Sequence, residues 1–266
     1  METHEVENRS LSPIDIPKML GIALIFLSPL FIIDPLVALR SGSGLFWMVE
    51  VEGETSRLIL RADLAVPTIF SVFMLFVLSL LVYSRLSKIP LKGFGLNPPR
   101  DLNDSLKIGV IGGLVLMLLG DFLESLLQPL YEYFMISSKH VEISTAFGRA
   151  VATRGFFYIF LITAIVGIID PIAEELLFRG VIHTAYQNKH GFEIAVIVSS
   201  LVFALAHLDL AVIPIVFPLG VILAYAYYRT ESLLTPVLMH MTNNTVVFIL
   251  YIYGIEQIFP TFYHLG

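Results

Sequence analysis

The chain has 266 residues, of which 56% are hydrophobic and 14% charged, with a net charge of −6 and a mean hydropathy of +0.83. Soluble domains carry about 25% charged residues, so this composition excludes an ordinary water-soluble domain, and no nucleic-acid partner is expected. The absence of cysteine excludes disulfides, zinc thiolates and a cysteine nucleophile.

The expectation is an all-α fold, a polytopic membrane bundle of about seven or eight transmembrane helices, because lipid leaves an open strand edge unsatisfied. In chain order, the acidic start Met-Glu-Thr-His-Glu-Val-Glu precedes a first apolar run at 19–39, interrupted by Pro29 and Asp34. With no small-residue cleavage site, it reads as a retained span rather than a cleaved signal. The segment 41–61 contains Val-Glu-Val-Glu-Gly-Glu-Thr and suits a small hairpin outside the bilayer. Further spans are predicted at 62–83, 106–127, 156–186, 192–208, 211–228 and 235–252, followed by an interfacial tail over 253–266. The organisation expected is an amino-terminal set of helices and loops (1–155), a helical core carrying the polar residues (156–252) and that tail.

The connection after the second span holds Arg85, Lys88, Lys92, Arg100 and Lys107 among Pro90, Gly93, Gly95, Pro98 and Pro99. Basic residues in short loops mark the cytoplasmic side. The amino terminus is then cytoplasmic too, and the fourth span carries its polar residues toward that face. Lys139, Arg149 and Arg154 in the third connection run against this orientation.

Polar residues at bilayer depth are the informative ones, since each costs about 2.5 to 3.5 kcal/mol on insertion scales. Glu174, Glu175 and Arg179 lie in Ile-Ala-Glu-Glu-Leu-Leu-Phe-Arg-Gly, His207 ends Phe-Ala-Leu-Ala-His, and His240 and Asn244 share His-Met-Thr-Asn-Asn. At 1.5 Å per residue, Glu174 lies roughly 27 Å along the fourth span, and the path returns to His207 at nearly the same level. Glu175 and Arg179, four apart, share a helical face and can pair internally. Charge neutralisation for insertion is one reading of that pair, and a role in a functional site is the other. Pro171 can free backbone groups and open a polar cavity, although helix termination is the default reading of Asp170-Pro171. Phe178 and Phe203 suit either a substrate pocket or lipid-facing packing. Asp121 and Glu124 are expected at the external interface, His183 among loop or interface histidines, and Tyr225, Tyr227 and Tyr228 in an aromatic belt.

The chemistry these groups support is hydrolysis. A carboxylate with a histidine can hold and deprotonate water, and an amide with a second imidazole can donate to an oxyanion. No serine stands in a nucleophile elbow, which favours direct attack by water. Zinc held by carboxylates and histidines is the competing reading, without the His-Glu-x-x-His helix that would favour it. A proton relay in a transporter is a third, but no internal repeat is evident.

Glu-Glu-x-x-x-Arg, Phe-x-x-x-His and His-x-x-x-Asn, in that order within 156–252, resemble the motif set of the CAAX protease and bacteriocin-processing family, typified by the type II CAAX prenyl endopeptidase. The resemblance implies a glutamate-dependent intramembrane endopeptidase without a cofactor, acting on a membrane-anchored peptide or protein such as a prenylated carboxyl terminus. Carried over, Glu174 and His207 activate water, His240 and Asn244 form the oxyanion site, and Glu175 and Arg179 support them. Some members of that family act as immunity or scaffold proteins, so a non-catalytic membrane partner is the alternative.

Overall fold

The computed structural model describes residues 10–25, 47–52, 55–60, 62–134, 160–161, 163–207 and 209–252. The tail over 253–266 and the later part of the first predicted span lie outside them.

The bundle is all-α, with one small exception. Helix α1 covers residues 15–25, α2 Ala62–Ser87, α3 Leu102–Tyr133, α4 residues 163–190, α5 Phe192–Leu205, α6 Ile213–Thr230 and α7 Leu234–Ile252. The exception is a hairpin between α1 and α2, whose strands β1 (Trp47–Glu52) and β2 (Thr55–Leu60) run antiparallel from the Trp47–Leu60 pair to Glu52–Thr55. It forms where the alternating Val-Glu-Val-Glu stretch suits a two-residue period better than a helical one.

Helix ends follow local chemistry. Asp101 caps α3, its carboxylate accepting the Asp104 N–H at 3.0 Å, and the acidic first turn complements the helix dipole. Gly191, at φ +86°, makes the break between α4 and α5. The amino-terminal segment is tied down by Asp15, which accepts from the Ser12 N–H (2.9 Å), the Ser12 hydroxyl (3.0 Å) and the Tyr83 hydroxyl (2.5 Å). Leu11 and Met19 then bury against Leu80, Phe94, Leu176 and Val181, joining the chain's start to α2 and α4.

Helices α3 and α6 are each long and apolar enough to cross a membrane, and α2, α5 and α7 contribute shorter apolar stretches. Along α3 the side chains of Ile108, Ile111, Val115, Leu118 and Phe122 are exposed. An apolar stripe of this kind marks a contact surface and suits lipid. Two sequence expectations are corrected by the interior. Tyr227 is not part of an exposed belt: it is buried, its hydroxyl is 2.8 Å from Thr184 Oγ1, and its ring meets His183 edge-on at 5.4 Å. His183 is likewise a core residue, with Nε2 2.9 Å from Gln187 Oε1. Each supplies the other with ring packing, so neither needs the interface. Tyr225 and Tyr228 do face outward.

Helix α7 approaches α3 closely because α3 presents glycines there. A Cβ on Gly113 would lie 2.5 Å from both Met239 O and Thr242 Cβ, and one on Gly109 would lie 2.5 Å from Leu238 Cβ. Gly113→Val is expected to lower the thermal midpoint of the detergent-purified protein, since overpacking costs about 1–3 kcal/mol. The lipid-facing change Ile111→Val should leave it nearly unchanged. Equal midpoints for the two variants would contradict this packing.

Candidate active site

The polar residues of α4 sit on a helix that changes gauge along its length. It runs through a wide π-helical segment Ile165–Ile169, an α-helical segment Asp170–Glu175, a second π segment Leu176–His183 and a final α segment Thr184–His190. The default expectation that Asp170-Pro171 ends a helix is therefore corrected. The helix continues because the preceding wide turn absorbs the proline: the Asp170 N–H reaches five residues back to Ile165 O. Such π turns cluster at functional sites.

At the centre lies the Glu175 carboxylate, fully buried together with Arg179. Its Oε1 accepts from Arg179 Nη1 at 2.7 Å and from His240 Nδ1 at 3.0 Å. Because a carboxylate only accepts, His240 carries a proton on Nδ1. Arg179 Nη2 donates to Gly220 O at 2.9 Å, and the guanidinium stacks over the Phe203 ring, 4.6 Å from its centroid. The internal pair is thus one arm of a larger arrangement that also draws in α5, α6 and α7.

Glu174 occupies a different environment. Its side chain retains 27% exposure, and Oε2 lies 3.6 Å from His240 Nε2, within ion-pair range and beyond a direct hydrogen bond. His240 therefore bridges the adjacent carboxylates, one on each ring nitrogen. His207, half-buried at the end of α5, has Nδ1 3.0 Å from Phe203 O. A carbonyl also only accepts, so the proton sits on Nδ1 and Nε2 presents a lone pair when the ring is neutral. The Phe203 ring is 5.2 Å from His207 and 5.8 Å from His240, edge-on to both. It packs 5.1 Å from Phe178, and both phenyl rings are buried in the core rather than facing lipid. Asn244 donates one amide N–H to Val166 O at 3.3 Å and accepts from Asn243 at 3.0 Å.

Sequence reasoning had not linked His240 to Glu175, nor singled out Gly220 or Thr245, whose hydroxyl donates to Gly167 O at 3.3 Å. A backbone carbonyl such as that of Gly220 leaves no trace in the sequence. Thr245, one residue after Asn244, could have been found from its place beside the motif. Among the described residues, no group of three or more His, Asp or Glu side chains is arranged to hold a metal ion.

Residues 156–246 match the family model described as type II CAAX prenyl endopeptidase Rce1-like. This segment, about a third of the chain, is similar to that family. Over 90 residues the chain is 44% identical to the membrane-embedded CAAX protease MroQ of Staphylococcus aureus (strain USA300), covering 32% of this chain and 36% of that protein. It is 33% identical over 90 residues to the putative membrane peptidase YdiL of Bacillus subtilis (strain 168), covering 34% and 37%. An uncharacterized 24.3 kDa protein of Escherichia coli matches at 32% identity over 84 residues, covering 30% and 39%. The matches thus span little more than a third of these relatives' lengths. No solved structure matches the chain significantly. The Rce1-like match and the membrane proteins it resembles agree with the lipid-facing surface: this is an integral membrane protein.

The buried charge generates a stability prediction. Arg179→Met leaves the Glu175 carboxylate enclosed without its cation, which typically costs about 3–5 kcal/mol. The double variant Glu175→Gln/Arg179→Met should recover a large part of that loss. Thermal unfolding in detergent compares the three proteins, and a single variant as stable as the wild type would contradict the buried pair.

Proposed function

We propose that the chain is a membrane-embedded endopeptidase in which Glu174 activates the water that attacks a peptide bond. The observation carrying this reading is the contrast between the two carboxylates around His240. Glu175 is enclosed and committed to Arg179 and His240, whereas Glu174 keeps part of its carboxylate surface exposed. A general base must touch the water it deprotonates, so the accessible carboxylate takes that role.

His207 is assigned the second contact to that water, with its Nδ1 held by the Phe203 carbonyl. As water adds to the carbonyl carbon, its proton passes to Glu174, and the oxygen of the former carbonyl becomes an oxyanion. His240 and the second N–H of Asn244 donate to that oxyanion. His240 does so in its protonated form, since Nδ1–H is engaged by Glu175 and a neutral ring would offer only a lone pair at Nε2. Its positive charge balances the excess of two carboxylates over one guanidinium. Collapse of the intermediate breaks the C–N bond, and Glu174 returns its proton to the leaving amine. The reading assigns no metal and no cofactor, the water being activated by carboxylate and imidazole alone.

The substrate proposed is a membrane-anchored peptide or protein cut near the bilayer face, with a prenylated CAAX carboxyl terminus as the first candidate. The Rce1-like match and the name of the Staphylococcus aureus relative support that class. The basic connection around Arg85, Lys88, Lys92, Arg100 and Lys107 supports a cytoplasmic opening and a cytoplasmic amino terminus.

Purified protein in liposomes should cleave a farnesylated CAAX peptide or a membrane-anchored leader peptide. Glu174→Gln should lower kcat by about 10²–10⁴-fold, the usual contribution of a positioned general base, with the thermal midpoint unchanged. Full activity in that variant would remove Glu174 from the reaction. Activity lost to a chelator and restored by zinc would replace the carboxylate mechanism with a metal one.

A further inference from the structure

Pro171 stands where α4 passes from the wide to the ordinary helical turn, and its nitrogen has no hydrogen to give the carbonyl it would otherwise serve. The Asp170 N–H donates five residues back, to Ile165 O, while the Leu176 N–H donates four back, to Ile172 O. The next nitrogen after Asp170 would serve Val166 O in the wide register or Gly167 O in the ordinary one. That nitrogen belongs to proline and carries no hydrogen. Carbonyls freed in this way inside a membrane helix need another donor. Consecutive side chains of α7 provide it: Asn244 Nδ2 donates to Val166 O and Thr245 Oγ1 to Gly167 O, each at 3.3 Å. The approach depends on Gly167, which is buried; a Cβ there would run into Thr245 Oγ1 and lie 3.3 Å from Thr245 Cβ.

We propose that Thr245 is a positioning residue for His240, and that Pro171, Gly167 and Thr245 form a latch setting the height of α7 on α4. The proposal rests on the reading of Glu174 and His240 as reacting groups. His240 has to satisfy two carboxylates at once, with Nδ1 3.0 Å from Glu175 and Nε2 3.6 Å from Glu174. Thr245 lies five residues further along the same helix, roughly 7.5 Å away, so anchoring one anchors the other. A slide along the helix axis would lengthen and misalign the Nδ1 bond. Asn244 shares the latch but is also assigned to the oxyanion. Thr245 has no second task, which makes it the clean probe.

The test exploits the proline. Thr245→Val keeps the shape and removes the hydroxyl, and is expected to lower kcat about tenfold or more, in line with the effect of small misplacements on catalysis. KM should change little, and Thr245→Ser should restore the rate. Pro171→Ala supplies the missing N–H, so in that background the same Thr245→Val change should cost less than about twofold, a coupling read by the double-mutant cycle. A readout without turnover is the His240 Nδ1–H proton resonance in [15N]histidine-labelled protein. It should broaden or shift in Thr245→Val, return in Thr245→Ser, and change little further when Thr245→Val is added to Pro171→Ala. If Thr245→Val does not fold, Thr245→Ala in the two backgrounds carries the same comparison. An equal cost in both backgrounds, or an undisturbed kcat and resonance in Thr245→Val, overturns the latch. If the wild-type protein cleaves no peptide, the proteolytic reading fails by itself, and the resonance series decides the latch alone.

Discussion

The carboxylate of Glu175 is enclosed in an apolar helical bundle, and the arrangement of the polar residues around it follows from pairing it. An enclosed charge without partners is among the most costly features a fold can contain, and removing one partner is worse than removing both. Here the partners come from different elements. Arg179 arises on the same helix, His240 comes from α7, Gly220 of α6 holds the far side of the guanidinium, and Phe203 of α5 stacks on its face. One buried charge thereby ties four helices to a common point.

The same constraint separates the two adjacent glutamates. Neighbouring residues on a helix point about 100° apart, so only one can face the enclosed guanidinium. Glu175 takes that direction, and Glu174 is left beside Nε2 of the imidazole whose Nδ1 serves Glu175. Two identical functional groups thus acquire different surroundings from position alone, one sealed and one partly exposed. On the proteolytic reading this difference is the division of labour: the sealed carboxylate orients the histidine, and the accessible one meets water.

What the sequence made legible was local or combinatorial. The four-residue spacing of Glu175 and Arg179 implied their shared face, the Pro/Gly-rich connection implied a loop, and the ordered polar motifs implied a family of membrane proteins. What it hid depended on tertiary height and rotation. Nothing in His-Met-Thr-Asn-Asn says that His240 meets Glu175, because that depends on how far α7 slides along α4. The widened turns of α4 were hidden for a similar reason: their hydrogen-bond register changes over a few residues without altering the apolar pattern. His183 and Tyr227 look interfacial as isolated residue types and become core residues only because each finds hydrogen-bonding and ring partners inside.

The position of α7 depends on two kinds of contact. Lipid tails are as apolar as leucine, so helix association in a membrane draws on close packing and polar ties rather than on the hydrophobic effect. Helix α7 has both, on different neighbours. The glycines of α3 let it pack backbone to backbone near Met239 and Thr242, and the carbonyls of Val166 and Gly167 on α4 receive Asn244 and Thr245. Close packing fixes how near two helices lie while leaving them able to slide, whereas hydrogen bonds to particular carbonyls fix the slide. His240 sits between these anchors, between Met239 on the packing side and Asn244 on the bonding side. The imidazole can therefore hold both carboxylates only where the two kinds of contact agree on one position for the helix.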